Sequence, residues 1–262
     1  MAVLPLPSRS MQTPVAGVTM HAELLGKGVP TFVLVHGLGM SGRYMRPTAK
    51  QLAAHGGVYV PDLPGFGKSG KPPDALSIVE LADALALWME ANSIRNPIMV
   101  GNSLGGQVIL DFALRHPHRL AAAVLVGPTI DPEARKVSTQ IFRLLLDILR
   151  EPAELYWMGL TDYLRAGFGR VLQTLRHALA DPVLEKLPLI RVPVLIVRGG
   201  RDPIVPQRWV EQAARLIPDA TLVTLPSAAH AVNFNSPEKL TSELLKFHRG
   251  LKQTQNAVPI AK

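Results

Sequence analysis

The chain contains no cysteine among its 262 residues. Disulfides, cysteine-ligated metal sites and thiol nucleophiles are therefore excluded, and any nucleophile must be an oxygen or a nitrogen. No run reaches the roughly 18 uninterrupted apolar residues that a membrane-spanning helix needs. The N-terminal residues also lack the basic region and the long apolar region of a signal peptide. We therefore expect a soluble, cytoplasmic protein.

Acidic residues are the scarcer charged class, because 20 Asp and Glu stand against 28 Lys and Arg and give a formal net charge of +8. Such a charge is typical of proteins that bind nucleic acid or an anionic surface. Here the basic residues are scattered, with only a loose terminal group at Lys246, Arg249 and Lys252, and aromatic residues make up just 5% of the chain. We therefore expect no nucleic-acid and no membrane partner, but a small-molecule substrate and a monomer or homodimer.

Short apolar runs that end in glycine-bearing turns alternate along the chain with stretches of helical periodicity. The runs lie at residues 31–36, 58–60, 98–100, 121–126, 193–197 and 221–225. This alternation is typical of a parallel sheet covered by helices. We predict an α/β fold with a mostly parallel central sheet flanked by helices, formed by residues 1–128 and 191–262. Residues 15–25, with a turn at 26–28, look like an antiparallel hairpin at the edge of that sheet.

The strand pattern disappears between residues 129 and 190. Helical periodicity predicts helices at residues 133–149, 152–166 and 168–180, and a short helical turn at 182–187. An all-helical segment inserted after the sixth strand is expected to form a cap over the C-terminal edge of the sheet, where such folds bind ligands. The tail after Gly250 has no periodicity, so we expect it to be frayed.

The sequence Gly-Asn-Ser-Leu-Gly at residues 101–105 fits the pattern GxSxG, with a strand predicted before it and a helix after it. In this context the serine lies on a tight turn, and the glycines are needed because side chains there would collide with neighbouring backbone. Ser103 is therefore a candidate nucleophile at a helix N-terminus. The pattern alone is weak evidence, because an incidental serine on a glycine-rich turn would also fit it.

A serine hydroxyl needs a base to accept its proton and a carboxylate to orient that base. Of the eight histidines, His230 is the best placed, in the loop after the last apolar run, and Asp202 lies in the loop after the preceding run. Because the C-terminal ends of parallel strands meet at one edge of a sheet, we expect Ser103, Asp202 and His230 to converge. Otherwise His230 is an ordinary loop residue and Asp202 a helix N-cap.

The turns near the predicted nucleophile contain candidate hydrogen-bond donors for a developing oxyanion. The backbone N–H of Leu104 follows the serine, and a second donor is expected from the glycine-rich turn at residues 36–39, through the N–H of Leu38. We interpret His36 in that turn as a residue that braces the loop by hydrogen bonding. Asp62, in the turn at residues 62–69, is expected to tie neighbouring loops together.

Together these motifs resemble the α/β-hydrolase superfamily, over residues 20–247. The resemblance implies that Ser103 is the nucleophile, His230 the base and Asp202 its orienting acid, with an oxyanion hole from Leu38 and Leu104. In some members the acid lies one strand earlier, where this chain has Asp131. A serine at position 103 argues against the haloalkane dehalogenase and epoxide hydrolase branches, which use a carboxylate nucleophile. The chemistry implied is acyl transfer to water without a metal or organic cofactor.

The residues expected around the site are mostly apolar, which favours a carboxylesterase acting on small to medium apolar esters. The expected substrate-binding residues are Met40, Phe142, Leu146, Val205 and Val232.

Two alternatives remain open. The turns GNSLGG and DLPGFGKS also resemble those of C–C bond hydrolases that cleave vinylogous diketones from aromatic-ring meta-cleavage, although the GPG loop of that group is absent and Ala231 stands where a tryptophan often follows the histidine. Such an anionic substrate would need an arginine, for which Arg143, Arg150 and Arg165 are candidates. The second alternative is a non-catalytic ligand receptor on the same fold.

Overall fold

The computed structural model describes residues 8–257 and contains a sheet of eight strands. Along the chain these are β1 (Arg9–Val15), β2 (Val18–Leu25), β3 (Thr31–Val35), β4 (Gly57–Pro61), β5 (Ile98–Asn102), β6 (Ala122–Val126), β7 (Val194–Gly199) and β8 (Ala220–Leu225). They lie side by side in the order β1-β2-β4-β3-β5-β6-β7-β8. The β1–β2 and β2–β4 pairs are antiparallel and all the others are parallel. The predicted mostly parallel α/β sheet is confirmed.

Ten α-helices accompany the strands within residues 8–257. They are α1 (Arg46–Leu52), α2 (Ile78–Ala91), α3 (Leu104–Arg115), α4 (Val137–Ile148), α5 (Ala153–Ala166), α6 (Phe168–Ala180), α7 (Val183–Lys186), α8 (Gln207–Leu216), α9 (Val232–Asn235) and α10 (Pro237–Ala257). Within the same residues, no helix is both long enough and apolar enough to cross a membrane.

The sheet separates two apolar layers, because successive side chains of a strand point to opposite faces. In β3, Val33 and Val35 face the layer that contains the apolar sides of α2, α3 and α8. Phe32 and Leu34 face the second layer, which is formed with α1 and α10. All residues of β5, β6 and β7 are buried, as expected for central strands that are covered on both faces. This rigid centre carries the loops at the C-terminal edge.

The edge hairpin differs from the prediction. Its turn lies at Ala16 and Gly17, both with positive φ, and joins β1 to β2. Residues 26–28 instead lead from β2 into β3, with Gly26 packed so closely that an added Cβ would lie 2.3 Å from the carbonyl oxygen of Gly56. The sequence prediction misplaced the turn because both sites carry glycine, and only the pairing partner distinguishes them.

The C-terminal tail also differs from the prediction over part of its length. Residues 251–257 continue α10 instead of fraying, because this helix packs on α1 through its N-terminal half and extends beyond that contact. The remainder of the tail lies outside the described residues.

The segment between β6 and β7, residues 127–193, contains α4 to α7 and is called the helical insertion below. The bounds of α6 are those predicted, and α5 begins one residue later. The first helix begins at Val137, because Pro132–Ala134 forms a separate 3-10 turn after Asp131. That this segment is a distinct cap domain remains a prediction.

Candidate active site

Ser103 lies between β5 and α3 in a backbone conformation that is rare for a side-chain-bearing residue. Its φ is 56° and its ψ is −121°. The two glycines of the motif permit this turn. A Cβ added at Gly101 would lie 2.4 Å from the carbonyl carbon of Gly105, and one added at Gly105 would lie 2.4 Å from the carbonyl oxygen of Val35. Strain at a single, tightly packed position is typical of a functional site.

Two backbone N–H groups near Ser103 are available as hydrogen-bond donors. Leu104 is the first residue of α3, and Leu38 lies in the turn that the N–H of Met40 closes on the carbonyl of Gly37. Within residues 8–257 neither the Leu38 nor the Leu104 amide donates a hydrogen bond. The turn is close to the serine, because a Cβ added at Gly37 would lie 3.3 Å from the Ser103 Cβ. This geometry suits an oxyanion hole.

His230 and Asp202 form a buried pair on the loops after β8 and β7. Nδ1 of His230 lies 2.7 Å from Oδ2 of Asp202. The other carboxylate oxygen of Asp202 accepts hydrogen bonds from the N–H groups of Ile204, at 2.7 Å, and Val205, at 3.0 Å. These bonds fix the carboxylate, and the carboxylate in turn can fix the orientation and tautomer of the imidazole.

Burial and nearby charges shift the pKa of His230 in opposite directions. Burial alone would lower its pKa, but the charge of Asp202, the hydrogen bond that Asp202 accepts from the imidazole, and the charges of Asp147 and Glu151 together raise the pKa to about 9. An imidazolium at this position is therefore stabilised, which is what a general base requires once it has accepted a proton.

Within residues 8–257 the predicted alternative acid, Asp131, makes no hydrogen bond with His230. Its carboxylate accepts hydrogen bonds from Arg208 at 2.7 Å and from Arg143 at 3.1 Å. The partner of His230 is thus Asp202, while Asp131 holds the start of the helical insertion against α8.

Ser103, His230, Leu38 and Leu104 all line one cavity of about 350 Å³ between the sheet edge and the helical insertion. Most of its wall is apolar, and half of the lining residues come from α4, α5 and α6. None of the described residues that line it is a lysine or an arginine. The cavity is therefore suited to an uncharged or cationic molecule.

Only one of the predicted substrate-binding residues lines this cavity. Met40 lines the cavity, but Phe142 and Leu146 do not, because α4 presents the adjacent face. The side chains that it presents instead are Ile141, Leu144 and Ile148. Helical periodicity identifies an apolar face, but in a leucine-rich helix two neighbouring faces are both apolar, and Phe142 is 61% exposed.

Val205 and Val232 were also predicted to bind substrate, and neither lines the cavity. Both are core residues, at 1% and 0% exposure respectively. Val205 belongs to the apolar layer that contains α2, α3 and α8, and Val232 belongs to the layer formed with α1 and α10.

Sequence reasoning missed two acidic residues of the cavity wall, Asp147 and Glu151. Glu151 accepts hydrogen bonds from the N–H of Ala231 at 2.7 Å and from the Asn235 side chain at 2.8 Å, and so holds the histidine loop. Oδ1 of Asp147 lies 3.4 Å from the N–H of His230. The spacing of positions 144, 147, 148 and 151 could have indicated that these acids share a face with the cavity-lining Leu144 and Ile148.

Asn102, the residue before Ser103, was missed as well. Its side-chain amide donates to the carbonyl oxygens of Val126 and His230, each at 3.2 Å, and its Oδ1 accepts from the hydroxyl of Tyr44 at 2.9 Å. One buried side chain thus ties the serine turn, the end of β6 and the histidine loop together.

The interpretation of His36 and Asp62 as bracing residues is confirmed. His36 donates from Nδ1 to the carbonyl of Gly37 at 2.9 Å and accepts at Nε2 from the N–H of Leu63 at 3.0 Å. Burial lowers its pKa, in keeping with this neutral form. The Asp62 carboxylate accepts from the N–H groups of Gly42 and Lys68, at 2.6 Å and 2.8 Å. These bonds hold the Leu38 turn in place.

The helical insertion is attached to this same turn. Asp162 of α5 is buried and accepts hydrogen bonds from the Ser41 hydroxyl at 2.7 Å and from two nitrogens of Arg43, at 2.7 Å and 3.1 Å. The turn that contains Leu38 is therefore followed by a loop that is joined directly to α5, which forms part of the cavity wall.

Comparison with known proteins supports this picture. A family model described as "Alpha/beta hydrolase family" matches residues 32–243. The protein named "Putative carbamate hydrolase RutD" from Yersinia enterocolitica is 28% identical over 254 residues, which cover 87% of this chain and 91% of that protein.

Solved structures show the same fold. A thermophilic esterase from Thermogutta terrifontis superposes with a TM-score of 0.79 at 24% identity and covers 93% of this chain and 99% of its own. An enol-lactonase from Burkholderia xenovorans gives a TM-score of 0.79 at 21% identity, over 91% and 100% of the two chains. At such identities the likeness concerns the fold alone.

Proposed function

The chain belongs to the alpha/beta hydrolase family, and from this premise we propose that it is a serine hydrolase that cleaves small to medium apolar carboxylic esters through an acyl-enzyme intermediate. In this proposal Ser103 is the nucleophile, His230 the general base and acid, and Asp202 the residue that orients the imidazole. No metal or organic cofactor takes part.

One observation carries the proposal. The imidazole of His230 is bonded to a buried carboxylate at 2.7 Å and lines the same cavity as a serine in a strained, positive-φ turn. A preformed acid–base pair that lines the same cavity as a serine hydroxyl is the arrangement that can activate an alcohol as a nucleophile. A binding role alone would not require it, which argues against the receptor alternative.

The reaction follows from these positions. The hydroxyl oxygen of Ser103 attacks the ester carbonyl carbon while His230 accepts the hydroxyl proton. The negative charge that forms on the carbonyl oxygen is stabilised by the N–H groups of Leu38 and Leu104. The bond to the alcohol then breaks, and His230 returns the proton to the leaving oxygen. Water attacks the acyl-serine by the same route and releases the acid.

The cavity supports an apolar substrate over the anionic dienol-keto acid of the C–C hydrolase alternative. That substrate would need a fixed cation, and the candidate arginines are engaged elsewhere. Arg143 donates to Asp131 and to the carbonyl of Ile204, and Arg150 donates to the carbonyl of Arg201. Arg165 is exposed and does not line the cavity.

A carbamate is the second candidate substrate class, because relatives at 28–29% identity carry the name of a carbamate hydrolase. A carbamate carbonyl would be attacked in the same way. Parallel assays with p-nitrophenyl esters of increasing acyl length, an aryl carbamate and a dienol-keto acid separate the classes. We expect the short to medium esters to be cleaved fastest. Inert esters together with cleavage of the dienol-keto acid would instead assign the C–C hydrolase activity.

The role of Ser103 is tested by Ser103→Ala. In this variant the kcat for p-nitrophenyl ester hydrolysis should fall at least about a thousandfold, because removing the nucleophile leaves only substrate binding and oxyanion stabilisation. It should also no longer be labelled by a fluorescent organophosphonate. Ser242→Ala, at an exposed position of α10, is the control. Undiminished labelling of Ser103→Ala would remove Ser103 from this role.

A further inference from the structure

Asp147 of α4 is a buried carboxylate in the wall of an apolar cavity. Its exposure is 5%, and Leu144 and Ile148 beside it line the same cavity. Within residues 8–257, its hydrogen bonding is limited to the long contact of 3.4 Å between Oδ1 and the N–H of His230. Oδ2 has no hydrogen-bonding partner among these residues. Glu151, one turn further along, differs because both of its oxygens accept short hydrogen bonds.

An ionised carboxylate without a partner is costly in such surroundings. Burial is the main reason why the pKa of Asp147 is raised to about 6, with the charges of Glu151 and Asp202 adding to the rise and that of His230 opposing it. Near neutral pH the group is nevertheless mostly ionised. Protonated His230 also lines the cavity, but its single positive charge is paired with Asp202 and faces Glu151 as well as Asp147. Since no lysine or arginine among the described residues lines the cavity, a cation on the bound molecule would balance the remaining negative charge.

The position of Asp147 indicates which end of the substrate it would meet. It contacts the backbone of His230, the residue that returns a proton to the leaving alcohol in the proposed reaction. We propose that Asp147 is a specificity-determining residue that selects esters whose alcohol part carries a positively charged amine. This inference rests on the proposed ester hydrolysis and names a substrate class for the same site.

A purely structural role is the competing explanation, in which Asp147 only holds the histidine loop. The loop already has stronger supports, because Glu151 accepts from Ala231 at 2.7 Å and Asn102 donates to the carbonyl of His230 at 3.2 Å. Loss of a loop support would slow every substrate to the same degree, whereas loss of a charge partner would slow only the cationic ones. The two roles are therefore separable by kinetics.

The test uses two esters of nearly the same shape, butyrylcholine and 3,3-dimethylbutyl butyrate, which differ in the charge of the quaternary centre. In the wild-type chain we expect a higher kcat/KM for the cationic ester. Asp147→Asn should lower the cationic-to-neutral ratio of kcat/KM by about tenfold or more when both esters are measured at the same pH. A change in the pKa of His230 affects both esters alike and cancels in this ratio. Glu154→Gln, at an exposed position of α5 outside the cavity wall, is the matched control and should keep the wild-type ratio.

A binding experiment keeps this inference separate from the proposed function. Choline and 3,3-dimethyl-1-butanol are titrated calorimetrically into Ser103→Ala and into Ser103→Ala combined with Asp147→Asn. Choline should bind more tightly than the neutral alcohol, and the second substitution should remove that preference. The inference would be overturned if Asp147→Asn left the cationic-to-neutral ratio of kcat/KM unchanged and choline bound no more tightly than the neutral alcohol. An equal fall in kcat/KM for both esters counts as an unchanged ratio. This outcome would stand even if Ser103 proves to be the nucleophile. Conversely, choline binding that depends on Asp147 would uphold the cation site even if ester hydrolysis survives in Ser103→Ala.

Discussion

Gly127, which follows β6, lies directly against the ring of His230. A Cβ added there would lie 3.0 Å from Nδ1 of His230 and 3.2 Å from Oδ2 of Asp202. The φ of Gly127 is 52°, a conformation that also disfavours a side chain. The acid–base pair therefore depends on the absence of a side chain on a neighbouring strand end.

Gly127→Ala should consequently impair turnover more than substrate binding. The methyl group would push the imidazole away from its carboxylate, and a misplacement of this kind can cost about a hundredfold in rate. We expect kcat to fall by about tenfold to a hundredfold with a smaller change in KM, measured by steady-state ester hydrolysis. Gly169→Ala, in α6 with open space around the added carbon, is the control. A kcat equal to that of the wild type would show that the pair tolerates displacement.

Asp202→Asn and Asp131→Asn should separate the two candidate acids. An amide at position 202 can no longer hold the imidazole in its active tautomer, so we expect a loss of about 10⁴-fold in kcat with an intact fold. Asp131→Asn neutralises the carboxylate that pairs with Arg208 and Arg143. This substitution should lower thermal stability more than it lowers turnover. Kinetics and thermal unfolding of both variants decide the matter, and the reverse pattern would assign the acid to Asp131.

The pH dependence of turnover should reflect the raised pKa of His230. Only the neutral imidazole can accept the serine proton, so kcat/KM should rise with pH until it passes the pKa, which lies above the ordinary 6.5 and toward 9. The nearby charges of Asp202, Asp147 and Glu151 favour the protonated form. Asp147→Asn should therefore move the rising limb of the profile to lower pH. A limb that stays in place in this variant would contradict the electrostatic influence of Asp147 on His230.

Asp162→Ala should loosen the helical insertion. It leaves Ser41 without its acceptor in α5 and removes the carboxylate partner of Arg43, which still donates to the carbonyl of Met158 and the hydroxyl of Thr161. Since Arg43 is partly exposed, the expected cost is about 1–3 kcal/mol. The melting temperature should be several degrees lower than that of the wild type. The Glu154→Gln variant of the same helix gives the reference value. Identical melting temperatures for the two variants would mean that this contact contributes little.

The candidate site was predictable from sequence to the extent that turns and strand ends define it. The GNSLG turn and the loops with Asp202 and His230 follow apolar strands, so topology alone brings them to one edge. The bracing roles of His36 and Asp62 followed from the same reasoning. These positions depend on backbone geometry, which leaves clear signals in glycines and short apolar runs.

The wall of the cavity was less predictable, because it depends on how helices rotate against the sheet. In α4, Phe142 and Leu146 are as apolar as the residues that line the cavity, so hydrophobicity could not select the face. The sequence alone does not distinguish Asp147 in this helix from an exposed surface charge. The turn of the edge hairpin was predicted wrongly for a related reason. The pairing of β2 with β4 is a long-range contact that local sequence does not encode.

The bond between Asp162 and the Ser41–Arg43 loop has a consequence for recombination among related chains. A chimera that receives a foreign helical insertion at residues 127–193 would keep the native loop but lose its acceptor, unless the donor segment carries an acid at the same place. Exchange of substrate range by swapping this segment should therefore succeed only when both halves of the contact are inherited together.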